Sequence, residues 1–233
     1  MTNIELARSL LSSPRRFFAQ LEEHPRYALP FWLGLLATVG LTAWYYGVVD
    51  IEWLKQLQMD ADPRTAAMSD AQREAAARFL TRGLLLGFGL AAILAIGVLT
   101  RLLEALYYRA IGPAFGLRRT YRQWFAFSSW TALPHVVAAL PAVLVLLVAD
   151  TAHLAPGAMQ PLSFNELFFH RPLGAPGYNF LSIVGVGHVV TLALAVYGVK
   201  CWSKRSWGFA ALFVLGPALV AAIGFGIYAG ATR

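Results

Sequence analysis

The sequence predicts an all-helical polytopic membrane protein, a bundle of five transmembrane helices preceded by an interfacial amphipathic helix. Three observations predict it. Of 233 residues, 58% are hydrophobic and only 13% charged, with a mean hydropathy of +0.57, whereas soluble domains run nearer roughly 45–50% apolar and about 25% charged. The apolar residues fall in long uninterrupted blocks and not at the dispersed spacing of a soluble core. The basic residues flank those blocks and do not gather on one face, so the net charge of +7 reads as an orientation signal and no nucleic-acid partner is expected.

Residues 1–27 form a polar, amphipathic segment, expected to be cytoplasmic, and 28–233 a single transmembrane domain. Ser13 followed by Pro14 reads as an N-cap with proline at the first helical position. The helix it opens carries Phe17, Phe18 and Leu21 on one side and Arg15 and Arg16 on another. Such a helix is expected in the headgroup layer, with Pro14, Arg15, Arg16, Phe17 and Phe18 at the membrane interface. The first apolar block is about twice the length of a typical signal h-region, so it is expected to stay as an uncleaved signal anchor.

A span needs roughly 20 apolar residues, and five stretches qualify: 28–49, 83–108, 124–149, 180–199 and 207–228. Arg8, Arg15, Arg16 and Arg26 precede the first. Arg109, Arg118, Arg119 and Arg122 follow the second, and Lys200, Lys204 and Arg205 separate the last two. By the positive-inside rule these three segments are cytoplasmic. The 150–179 loop holds only Arg171 among Lys and Arg, and in the 50–82 loop six acids offset five basic residues, so both read as external. The N-terminus is therefore expected inside and the C-terminus outside. Within the 50–82 loop, Ser69 to Gln72 fits a capping box opening a helix from Asp70 to Arg82 that runs straight into the second span.

The third and fifth spans share a pattern. Arg122, Trp124, Pro134, Val137, Ala138 and Ala139 recur 83 residues later as Arg205, Trp207, Pro217, Val220, Ala221 and Ala222. Two similar hairpins after one leading helix, or coincidence among residues common in spans, both account for it. Pro134 and Pro217 each remove a helical hydrogen bond and kink their spans, as fixed packing features or as hinges. Ser128, Ser129 and Thr131 lie close enough to serve the freed carbonyls.

Arg101 and Glu104, at i and i+3, share a helix face and can pair. Charges at that depth are either interfacial anchors or a buried functional pair. His135 and His188 lie inside spans, as structural or proton-responsive groups. The external His153 and His170 lack a carboxylate cluster at ligand spacing, so no metal is expected. No nucleophile elbow, no intramembrane acidic pair and no phosphate-cradling glycine loop is present, so neither an enzyme nor a cofactor is expected. Cys201, the single cysteine, permits no intramolecular disulfide and reads as a reduced cytoplasmic thiol. Gly83 and Gly87 form a small-xxx-small pair, and Gly185, Gly187, Gly198, Gly224 and Gly226 add further sites of close helix approach, within the chain or between copies.

The string Ser13-Pro14-Arg15-Arg16-Phe17-Phe18 with Leu21, then Pro25 and Pro30 entering the first span, resembles the opening of bacterial members of the Yip domain family. Phe127, Ser128, Leu133 and Pro134 in the third span, and the short basic turn of Val199, Lys200 and Trp207, are similar to it as well. The resemblance covers nearly the whole chain. It implies five spans, a cytoplasmic N-terminus and, with the alanine- and arginine-rich usage, a bacterial inner membrane. Eukaryotic members associate with Rab GTPases in vesicle traffic. This chain lacks their Asp-Leu-Tyr-Gly-Pro motif, which puts Rab binding in doubt. Two functions follow as expectations: a non-enzymatic scaffold or adaptor for membrane-protein partners, a homo-oligomer or the bilayer itself, and alternatively a small-molecule or lipid transporter built on the kinked third and fifth spans.

Overall fold

The computed structural model describes residues 2–231, with the side chains of all but Ala66 and residues 221–231. Ala221, Ala222, Gly224 and Gly226 therefore lie outside the described side chains. The described residues form thirteen α-helices and no strand. These are α1 (Asn3–Ser12), α2 (Pro14–Glu23), α3 (Ala28–Val48), α4 (Ile51–Ala61), α5 (Pro63–Ala66), α6 (Asp70–Phe79), α7 (Arg82–Ile111), α8 (Tyr121–Thr131), α9 (Leu133–Ala138), α10 (Leu140–Val148), α11 (Tyr178–Ile183), α12 (Val186–Ser203) and α13 (Trp207–Ala231). Four segments are long and apolar enough to cross a membrane: α3, Arg82–Phe115, Tyr121–Val148 and α12. The 25-residue α13 is the fifth, its described side chains being apolar over Trp207–Val220. The protein is a polytopic helical membrane protein.

Three helices lie where the sequence predicts none, each opened by a local cap; in the shortest, α5, Asp62 accepts the Arg64 amide at 2.9 Å. The Thr2 hydroxyl accepts the Glu5 amide and the Glu5 carboxylate accepts the Thr2 amide, a capping box that starts α1. Asp50 accepts the amides of Glu52 and Trp53 at 2.8 and 3.2 Å and starts α4.

Three expected continuous helices are broken. The helix expected to run from Asp70 through Arg82 ends at Phe79, because the Thr81 hydroxyl accepts the Leu84 amide at 3.3 Å and caps a new helix. The third span is interrupted twice. Pro134 lacks the amide that would bond the Trp130 carbonyl, and Pro141, in the first turn of α10, lacks the one for Val137. The fourth span parts between α11 and α12, where the chain doubles as a short antiparallel bridge. Phe164 N–H donates to the Val184 carbonyl at 2.8 Å and Val186 N–H to the Leu162 carbonyl at 3.0 Å. Gly185 permits this approach, since a Cβ there would lie 2.2 Å from the Leu162 oxygen.

The chain divides into two compact units. One comprises Met1–Phe31, Arg101–Ala132 and Val190–Arg233. Its core is aromatic. Trp124, fully buried, packs its ring 5.0 Å from Tyr108 and from Trp202, 5.4 Å from Phe127 and 6.0 Å from Phe213. Phe17, Phe18 and Leu21 of α2 are also fully buried. Phe17 meets Trp130 edge-on at 5.3 Å, Phe18 lies 5.7 Å from Phe127, and the Trp202 indole donates to the Phe18 carbonyl at 2.8 Å. Helix α2 thus puts its apolar face into the protein, with Arg15 and Arg16 exposed and Pro14 half-buried. Arg119 pairs with Glu22 at 2.5 Å and Gln123 donates to the Glu22 carbonyl at 2.7 Å, fixing the far end of the helix.

The other unit comprises Trp32–Thr100 and Leu133–Val189. Tyr45, Val49, Ile51, Leu54, Leu146 and Leu154 form its buried cluster. The Tyr45 hydroxyl donates to the Leu154 carbonyl at 2.9 Å and Asp50 N–H to the Ala152 carbonyl at 2.9 Å. Arg82 donates to the carbonyls of Tyr46, Gly47 and Val49, the last two at 3.0 Å. A cation therefore closes the C-terminal carbonyls of α3, where the helix dipole favours it.

Gly198 is the tightest point of the aromatic core, since a Cβ would lie 2.4 Å from Phe18 and 2.5 Å from Phe127. Overpacking of this kind destabilises by about 1–3 kcal/mol. Gly198→Ala is expected to lower the midpoint of thermal unfolding, followed through reaction of the half-buried Cys201 thiol with a maleimide dye. Gly208→Ala, with open space around it, is expected to leave that midpoint unchanged or raise it.

Candidate functional site

The sequence singled out six intramembrane residues, and the structure sorts them into two places and one outlier. In the first unit, Arg101 Nη1 lies 2.8 Å from Glu104 Oε2, one turn along α7. The pair closes on α8. Arg101 donates to the Ser128 carbonyl at 3.0 Å and to its hydroxyl at 3.3 Å, while that hydroxyl donates to the Glu104 carboxylate. Ser128 is buried, the Arg101 side chain is 16% exposed and that of Glu104 36%.

The Ser128 carbonyl is where α8 terminates, and three donors converge on it: Arg101, the Thr131 hydroxyl at 3.2 Å and Ala132 N–H at 3.2 Å. Ser129 and Thr131 bond back to the carbonyls of Phe125 and Phe127 within their own helix. Serine thus joins a cation to an anion within one hydrogen-bonded triad. In a low dielectric such a closed triad avoids the penalty of an unpaired charge.

In the second unit, the rings of His135 of α9 and His188 of α12 are in tilted contact, with centroids 4.3 Å apart and planes 46° from parallel. Gly187 lets the two segments meet, since a Cβ there would lie 3.0 Å from Ala138 Cβ and 3.2 Å from His135 Nδ1. Both imidazoles line a cavity of about 520 Å³, with Thr38, Thr42, Tyr45, Gln160 and Ser163 also on its wall. None of the lining residues is Asp, Glu, Lys or Arg. The wall is otherwise apolar, which suits a neutral amphiphile with a few oxygen or nitrogen atoms to place. Beyond the two histidines this wall is not legible in the sequence, because its residues come from five separated stretches.

Pro134 precedes His135 and marks the junction of α8 and α9. Pro217 is the outlier. It is exposed and lies within α13, which continues through it. Trp124 is fully buried whereas Trp207, its counterpart 83 residues on, is 55% exposed. The two proline-bearing spans are therefore built differently. His153 lies 3.3 Å from Asp150 in the loop after α10, and among the described residues no three His, Cys, Asp or Glu side chains gather as metal ligands would.

A Yip1 domain matches residues 8–228. The chain belongs to the Yip1 domain family. The Yip1 domain here begins within α1, ends within α13 and contains all six intramembrane candidates as well as α2. No curated protein and no solved structure matches the chain.

Because Arg101, Glu104 and Ser128 form one network, their truncations are expected not to add. Arg101→Gln and Glu104→Gln are each expected to destabilise by about 1–3 kcal/mol, the penalty for stranding a buried polar partner. The double substitution is expected to destabilise by less than the sum. A double-mutant cycle on unfolding in mixed micelles checks this.

Proposed function

We propose that this Yip1 domain protein is a non-enzymatic membrane scaffold or adaptor that associates through its spanning helices with another membrane helix, from a partner or a second copy. The observation that supports this is the surface of α7. Gly83 and Gly87 stand one turn apart on it, both exposed, with no atom within 4 Å of where a Cβ would be. Without a hydrophobic force between helices in lipid, association depends on close backbone approach, and an open small-xxx-small lane allows it. Phe88, 69% exposed beside that lane, offers the accompanying side-chain contact. The closed Arg101–Glu104–Ser128 triad agrees with the same reading, since its charges hold helices together.

A carrier or lipid-binding role is the second reading, supported by the cavity beside His135 and His188. The proposed setting is a bacterial inner membrane with the N-terminus in the cytoplasm and the C-terminus outside. It rests on the alternation of basic and acidic connecting segments, and a reporter enzyme fused to either terminus tests it.

Native mass spectrometry of the protein released gently from its own membrane separates the two readings. The scaffold predicts a retained protein subunit that is lost in Gly83→Leu and Gly87→Leu, with the variants still inserted and folded. A monomer carrying a stoichiometric small molecule or lipid, lost in His135→Ala or His188→Ala, would overturn it in favour of the carrier.

A further inference from the structure

Burial of Phe17 and Phe18 inside the first unit removes from α2 the apolar face expected to meet lipid, and it leaves a different face of the N-terminal hairpin exposed. On α1, Ile4, Arg8 and Leu11 follow one another at i, i+4 and i+7 and so share a side. Ile4 is 65% exposed and Leu11 88%, with Arg8 exposed between them. Leu6 and Ser9, facing the other way, are buried. An isolated exposed leucine is ordinary. Two large apolar side chains flanking a cation along one helix face are a membrane-surface pattern.

Next to that face is a concavity of about 430 Å³ lined by Glu5, Arg8, Ser9, Ser12, Ser13 and Arg16. It brings one arginine from α1 and one from α2 to the same hollow. Neither makes an ion pair among the described residues. The Glu5 carboxylate is held by the Thr2 amide at 2.7 Å as the cap of α1. The hydroxyls of Ser9 and Ser12 bond to the Leu6 and Arg8 carbonyls.

The level of this hollow is set by what α2 docks on. Its partners Gln123, Phe127 and Trp130 fall in α8, which opens the third span, and Tyr197 and Trp202 lie in the closing turns of α12. The hairpin is therefore held beside span termini, where phospholipid headgroups lie.

We propose that the α1–α2 hairpin is a binding site for the phosphodiester of an anionic phospholipid. Arg8 and Arg16 grip the phosphate, and Ile4 and Leu11 dip into the adjoining acyl layer. Two guanidinium forks match a phosphate's oxygens, and arginine makes such contacts bidentately. The apolar pair fixes the source of the phosphate, since a free ion has no use for it. The site lies outside both the glycine lane of α7 and the histidine cavity, so it stands or falls independently of them.

The test uses the full chain in detergent micelles doped with equal amounts of phosphatidylglycerol and phosphatidylcholine, with bound lipid counted by native mass spectrometry. Wild type is expected to retain phosphatidylglycerol preferentially. Each of Arg8→Gln and Arg16→Gln is expected to reduce that retention about fivefold, with thermal midpoints unchanged because both side chains are exposed. Ile4→Gln with Leu11→Gln is expected to reduce it too. Arg15→Gln, which removes an exposed arginine that does not line the hollow, is expected to retain the wild-type preference. Equal retention in Arg8→Gln and Arg16→Gln would overturn the proposal, and so would a loss as large in Arg15→Gln. Displacement of the lipid by millimolar inorganic phosphate, with no effect of the Ile4 and Leu11 substitutions, would assign the site to the free ion and overturn the lipid.

Discussion

The buried aromatic cluster around Trp124 is the contact on which the first unit depends. Helices in a bilayer gain little by hiding apolar surface from one another, because lipid tails are as apolar as they are. What holds them is close packing of polarizable side chains and hydrogen bonds made where no water competes. Tyr108, Trp124, Phe127, Trp202 and Phe213 come from four helices, and their rings lie within about 6 Å of Trp124. Phe18 enters the same cluster from α2 only because residue 198 has no side chain.

Hydrogen bonds from side chains to backbone oxygens then lock the arrangement, several of them where a helix ends or breaks. The Trp130 indole donates to the Arg26 carbonyl at 2.6 Å, just past α2, and the Trp202 indole to the Phe18 carbonyl at 2.8 Å. The Tyr107 hydroxyl donates to the Phe213 carbonyl at 2.9 Å. Arg101 serves the Ser128 carbonyl where α8 ends. In each case a side chain from a different element meets a backbone oxygen, and where that oxygen lies at a helix end or break, as at Ser128, this is how such ends stay tolerable at membrane depth. The other unit follows the same rule with Arg82 closing α3 and Tyr45 holding Leu154. Trp124 departs from the rule: its indole nitrogen, like Arg119 Nε, is buried without a hydrogen-bond partner among the described residues.

Much of this was legible in the sequence, and the rest fails for identifiable reasons. Span length and hydropathy are local, so the five spanning helices and the i, i+3 pair of Arg101 and Glu104 could be read directly. The caps at Thr2 and Asp50 were equally local and equally visible, as a Thr-x-x-Glu string and an acid before an apolar periodic run. Ser128 as the third member of the triad, 27 residues from Arg101, depends on how α7 meets α8. The ring contact of His135 with His188 spans 53 residues and depends on Gly187. The break at Gly185 is made by a distant stretch of loop at Leu162 and Ser163; Gly185 and Gly187 weaken the helix locally, but nothing within 180–199 names the segment that bridges there. For α2 the amphipathic face was plain, but a periodicity of apolar residues cannot tell whether lipid or protein covers it.

That last distinction carries the central claim, that α2 is part of the folded unit and does not rest in lipid. Hydrogen exchange of Pro14–Glu23 in the nanodisc-embedded chain, compared between wild type and Phe127→Ala, measures it most directly. Phe127 lies on α8, so its truncation can reach α2 only through packing. The account predicts strong amide protection in wild type that collapses in the variant. Protection that is equal in both would mean that lipid, and not the aromatic cluster, holds the helix.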